Sequence, residues 1–165
     1  MQTVHGSHLY GLNHKDSDTD TFTVIADNPT IKGTYARQSI RQDGTGHTSD
    51  DLITDLSTFV LYASKGVPQY LEAMWSTKAH VDGINDFRFS FWPDYYSMQA
   101  VYQRTIRNFY DSKELKKKRH AYRLVWNLKE FRENGIFNPT LNEEGLEAVE
   151  YMLRHDQGPD VYLGE

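Results

Sequence analysis

The sequence predicts an α+β fold with a helical C-terminal half. Two observations lead there. β-Branched and aromatic residues crowd together early, in Thr21-Phe22-Thr23-Val24-Ile25, as they do in strands. From Leu56 onward the spacing turns helical, first in Leu56, Phe59, Val60 and Ala63, then in Met98, Val101, Tyr102, Thr105 and Phe109. Strands followed by helices is the α+β order.

The elements follow in turn. Residues 2–6 have room for a short strand only, and Asp20 to Ala26 reads as a second, ended by Asn28-Pro29. Residues 36–50 are polar and rich in Gly, Ser and Asp, which predicts a mobile loop; Asp51 to Asp55 is then a third strand. A helix from Leu56 stops at Lys65-Gly66, and Pro68 opens another through Trp75. Phe87-Arg88-Phe89-Ser90-Phe91-Trp92 alternates like a strand until Pro93 cuts it short. Asp111 with Glu114 has the spacing of a capping box for a helix running to Asn134-Gly135, and Thr140 with Glu143 for a last helix ending near His155. Residues 1–75 are expected to form the core, with 76–165 packed on it as a mostly helical part.

Composition narrows the class. The 165 residues suffice for one domain with a hydrophobic core, and eight Phe, eleven Tyr and three Trp need somewhere to pack. The chain has no cysteine, so thiolate metal sites and disulfides are excluded. No apolar run nears the roughly 18 residues of a membrane span, and the start lacks a signal-peptide pattern, so a cytoplasmic protein is expected. The net charge of −5 is unevenly spread: Arg104 to Arg123 holds eight Lys or Arg against two acids.

Chemistry concentrates in Val4 to Asp27, VHGSHLYGLNHKDSDTDTFTVIAD. Asp18 and Asp20 are two apart at the entry to a strand, so their carboxylates share a side. Two such charges about 4 Å apart repel by about 4 kcal/mol at an effective dielectric near 20, unless water or a cation separates them. A solvated acidic turn is one reading. A calcium loop over Asp16 to Asp27 is another, although its sixth position, normally glycine, is Thr21. A third reading includes Gly6-Ser7: glycine lets the backbone approach a phosphate, serine offers a hydroxyl and an N–H, and paired aspartates hold a metal on the same phosphates.

On these residues, G-S-x-x-Y-G-x5-S-D-x-D, the stretch resembles the signature of the DNA polymerase β-like nucleotidyltransferase superfamily, in its branch of RNA-repair-associated predicted nucleotidyltransferases. Asp55-Leu56-Ser57-Thr58-Phe59, Lys65-Gly66-Val67-Pro68 and Leu71-Glu72 are similar to that branch's later motifs. Val67 departs from its usual asparagine, and His8 from its usual arginine. The likeness covers residues 4–27, 50–75 and 113–137. It implies a small mixed sheet flanked by helices and a cytoplasmic transferase. Two Mg2+ (or Mn2+) ions on Asp18, Asp20 and a third carboxylate would serve transfer of NMP from an NTP, ATP included, to an acceptor hydroxyl, RNA among the candidates, with pyrophosphate leaving. A non-catalytic nucleotide or metal binder, antitoxin-like or regulatory, is the rival on the same fold.

Candidates for the third carboxylate are Asp50, Asp51 and Asp55. The family's catalytic sheet face is expected to be open, with the opposite face on helices. Asp51 as ligand turns Leu52 and Thr54 inward, whereas Asp50 turns Asp51, Ile53 and Asp55 inward, so Asp51 is favoured. Asp55 doubles as an N-cap for Leu56 onward and is placed in or behind the catalytic set. On the basic helix 112–134, Lys116, His120, Arg123 and Asn127 share one face. Such a stripe is usually solvated, but it resembles the branch's K-x-x-x-H-x-x-R, so Lys116, His120 and Arg123 are expected at the triphosphate.

Overall fold

The computed structural model describes residues 1–13, 15, 17, 19–27, 30, 32–40, 47–79, 85, 88, 94–135 and 137–163. Four strands, β1 (Gln2–His5), β2 (Asp20–Ile25), β3 (Thr34–Ile40) and β4 (His47–Asp55), make one mixed sheet in the order β1-β2-β4-β3. β2 and β4 run parallel; β1 on β2 and β3 on β4 are antiparallel. Around and after the sheet come α1 (Ser7–Tyr10), α2 (Leu56–Ser64), α3 (Pro68–Trp75), α4 (Tyr95–Tyr110), α5 (Leu115–Asn134), α6 (Glu143–His155) and α7 (Pro159–Leu163). The fold is α+β with a helical C-terminal half. No helix among the described residues is long and apolar enough to cross a membrane.

The polar stretch read as a loop over 36–50 contains most of β3 and the start of β4. β3 is an edge strand, and Tyr35, Ala36 and Arg37 are exposed, so it needs no apolar residues to be paired. The part of that loop at 41–46, and most of the alternating segment 87–92, lie outside the described residues.

Local chemistry sets the helix boundaries. Asp55 caps α2 by accepting the Thr58 N–H at 2.8 Å, Pro68 sits in the first turn of α3, Asp94 caps α4, and Gly135 ends α5 in the left-handed region. Two expected capping boxes are not there. Asp111 ends α4, while Glu114 precedes α5 without a side-chain cap; Asn142, not Thr140, caps α6 through the Gly145 N–H at 2.8 Å.

The apolar core has two clusters. Phe22 and Val24 of the sheet pack on Phe59 and Ala63 of α2 and on Tyr70, Ala73 and Met74 of α3. The larger cluster joins α4, α5, α6 and α7 and takes Leu71 from the other side of α3. Thus α3 is wedged between sheet and helical half. Gly66 lets the α2–α3 turn press on α4: a Cβ there would lie 2.8 Å from the Met98 backbone.

Candidate functional site

β1 ends at His5, and Gly6 turns the chain into α1 with φ of 66°. That turn lies directly on Asp20, because His5 and Asp20 are register partners. A side chain at Gly6 would push against Asp20 Oδ2, and the positive φ there independently favours glycine. The other oxygen, Asp20 Oδ1, accepts the Asp50 backbone N–H at 2.9 Å. Gly6, Asp20 and the start of β4 therefore meet at one corner of the sheet, with Ser7 opening α1 beside them. His8 Nε2 lies 3.2 Å from Ser17 O, tying α1 to the loop before Asp20. Asp16 and Asp18 lie outside the described residues.

The sheet register decides between the remaining carboxylates. Asp20, Phe22 and Val24 alternate onto one face, and Phe22 and Val24 are buried on it against α2 and α3. Leu52 and Thr54 pair with Phe22 and Val24 and share that face. Asp50 belongs with them, one step before Asp51 and beside Asp20. Asp51 pairs with Thr21 and Arg37 on the opposite face, where Thr21 Oγ1 donates to its Oδ1 at 2.7 Å. The expectation that Asp51 lies on the face of Asp20 is corrected: the register puts Asp50 there and Asp51 on the opposite face. Leu52 and Thr54 do turn inward, but so does the face that carries Asp20; Asp20 opens β2, and Asp50 lies just before the paired stretch of β4 with β2, where it is exposed. Asp55 closes β4 at its far end. It accepts N–H groups of Thr58 and of Gly33, the latter at 2.6 Å, and hydrogen bonds from Thr58 first, then Gly33, hold its carboxyl down at about 2. It serves as a cap and loop anchor, away from Asp20.

Arg123 is the second correction. Its guanidinium does not face solvent: it donates to Glu72 at 2.8 Å and to Asn127 at 3.1 Å, with side-chain exposures of 3% and 1% for Arg123 and Glu72. It also lies 3.6 Å from the centroid of the Tyr10 ring, whose hydroxyl donates to the other Glu72 oxygen at 2.7 Å. Burial alone would raise the Glu72 carboxyl, but Arg123 and the Tyr10 hydroxyl outweigh it and hold it below its ordinary range. An arginine matched in this way has little charge left for a phosphate. His120 lies against Tyr10 and Phe109, and burial, then Arg123, lower its pKa to about 4, so it is neutral at pH 7. Lys116 is exposed one turn earlier. The stripe thus runs from solvent at Lys116 into the core at Arg123 and Asn127.

This buried cluster grips α1 from the helical half. Thr140 Oγ1 donates to Leu9 O at 2.9 Å, Leu141 N to Tyr10 O at 3.1 Å, and Lys78 Nζ to His8 O at 2.7 Å. The last three carbonyls of this one-turn helix are thereby satisfied by distant segments. Sequence reasoning missed Glu72 as Arg123's partner, and missed Lys78 and Thr140. Its available signal was Arg123 inside Ala121-Tyr122-Arg123-Leu124-Val125 and Glu72 inside Tyr70-Leu71-Glu72-Ala73-Met74, each a charge in an apolar run that requires a buried counter-charge.

No protein-family model matches the chain, and no curated protein matches it.

Proposed function

We propose that the protein is a nucleotidyltransferase, moving NMP from an NTP to an acceptor hydroxyl. The observation that carries the reading is the contact of two motifs 14 residues apart: Gly6 sits so close to Asp20 that a Cβ there would have to displace the Asp20 carboxylate. With Asp50 next in line on the same face, the corner offers hard carboxylate oxygens and a glycine turn open to a phosphate. These residues fit Mg2+ or Mn2+: Asp20 and Asp50, with Asp18 from the motif, would hold it. When bound, the ion neutralises phosphate charge and acidifies the acceptor hydroxyl.

The chain's own groups have distinct tasks in this reading. Gly6 and Ser7 receive phosphate oxygens. Asp50, exposed beside Asp20, is the carboxylate that takes the acceptor proton. The acceptor oxygen forms a bond to the α-phosphorus as the bond to the pyrophosphate oxygen breaks. Tyr10, Glu72 and Arg123 fix α1 without touching substrate.

The test is to incubate the protein with each labelled NTP, Mg2+, and total RNA or cell extract. Label should move to an acceptor with the wild type and not with Asp20→Asn. Tight NTP binding with no transfer to any fraction would instead identify a nucleotide-binding regulator.

A further inference from the structure

With Arg123 neutralised by Glu72, a different cation has to face the phosphates. Lys78 is exposed on the short segment after α3. Its ammonium reaches across 70 residues of sequence to the His8 carbonyl, the residue after Ser7, at 2.7 Å. One of its three donors is used there, and two remain. Among the described residues neither Lys78 nor Lys116 has an acidic partner, whereas Lys117, Lys118 and Arg119 are paired with Glu114, Asp156 and Glu150.

The backbone that carries Lys78 is held in place. Lys78 N donates to Ser76 Oγ at 3.1 Å, and Ser76 Oγ accepts from Thr3 Oγ1 of β1 at 2.7 Å in a buried contact. Arg88 clasps the same turn, donating to Met74 O and Ser76 O at 2.6 Å each. β1 leads straight into Gly6, so the strand that aims the glycine turn also aims Lys78. On its other side His8 meets Ser17, next to Asp18. Asp20 and Asp50 make this corner negative, and a phosphate chain entering it needs positive charge on the protein as well as from a metal.

We infer that Lys78 is a binding residue for the nucleotide's phosphate chain, its ammonium reaching from the His8 carbonyl to phosphates at the Gly6–Ser7 turn. The inference rests on the nucleotidyl-transfer reading.

The probe is inorganic triphosphate with Mg2+, titrated calorimetrically into wild type, Lys78→Met, Lys78→Gln, Lys78→Arg and Lys129→Met. Lys78→Gln keeps a donor for His8 O without the charge, which separates anchoring from phosphate binding. Lys129, on the α6 side of α5, controls for general surface charge. Lys78→Met and Lys78→Gln should bind about tenfold more weakly, at unchanged melting temperature for Lys78→Gln. Lys78→Arg and Lys129→Met should bind as wild type. Full affinity in Lys78→Gln, or equal losses in Lys78→Gln and Lys129→Met, overturns the inference and leaves the transfer reading standing. A wild type that binds no triphosphate overturns that reading, and the inference with it.

Discussion

Arg123 and Glu72 form an ion pair at 2.8 Å with almost no access to water, linking the middle of α5 to the middle of α3. Taking one member away strands the other charge in the core. Arg123→Ala should therefore destabilise the protein by about 3–5 kcal/mol, read as a shift of the urea midpoint. A joint replacement, Glu72→Leu with Arg123→Met, should cost less than Arg123→Ala alone. A loss below about 1 kcal/mol for Arg123→Ala would mean that the pair is solvated.

Gly6→Ala combines an extended backbone at positive φ, a region essentially reserved for glycine, with a clash against Asp20. The backbone term alone costs about 1–3 kcal/mol, and the clash must move the carboxylate that the proposed metal uses. The expected outcome is a lower melting temperature together with loss of any stabilisation by Mg2+ and triphosphate. A variant that keeps the full ligand-induced rise would separate Gly6 from the site.

Sheet parity distinguishes two adjacent aspartates. Asp50→Asn should lower nucleotidyl transfer by about a hundredfold or more while the fold persists. Asp51→Ala removes the acceptor of the Thr21 hydroxyl and should cost about 1 kcal/mol of stability with transfer retained. Side-by-side rates settle the assignment: the reverse order of damage would return the role to Asp51.

Acid should loosen the helical half before it protonates most carboxylates. The His120 pKa is about 4 when folded and 6.5 when unfolded, lowered by burial first and Arg123 next. Above pH 6.5 neither state binds the proton and the group contributes nothing to the pH dependence. As pH falls from 6.5 towards 4 only the unfolded chain is protonated, so stability drops, by about 3 kcal/mol over that window. His5, lowered chiefly by burial, acts in the same direction. Denaturation midpoints from pH 7.5 to 4.5 should fall in the wild type and less steeply in His120→Gln. Identical slopes would remove His120 as the cause.

The legible parts of this sequence were those in which one residue's neighbours fix its surroundings. Thr21 to Ile25 reads as a strand from its own composition, and Pro68 marks α3 by itself. β3 was unreadable because an edge strand is permitted to be polar, and Arg37 in it looks like loop. Gly6 and Asp20 could be paired from their motif, but the choice of Asp50 over Asp51 depends on which sheet face the helices cover, and the register with Phe22 settles that only in three dimensions. Spacing put Lys116, His120 and Arg123 on one side of α5 without saying that this side dives under α1. The missing fact was Glu72, 51 residues away.

Thr140 meets Leu9 across 131 residues of sequence. On a ribosome, residues 7–10 are made long before Thr140, and the Leu9 and Tyr10 carbonyls find their partners only after the chain has advanced past Leu141. β1 and β2 can pair long before that, so the strand half of the corner is available early and the helical half arrives last. The closure entropy of so long a loop must be met before the contact returns anything. Assembly of this corner thus extends to Leu141, and a nascent fragment ending before Thr140 holds both motifs without the last two contacts that fix α1.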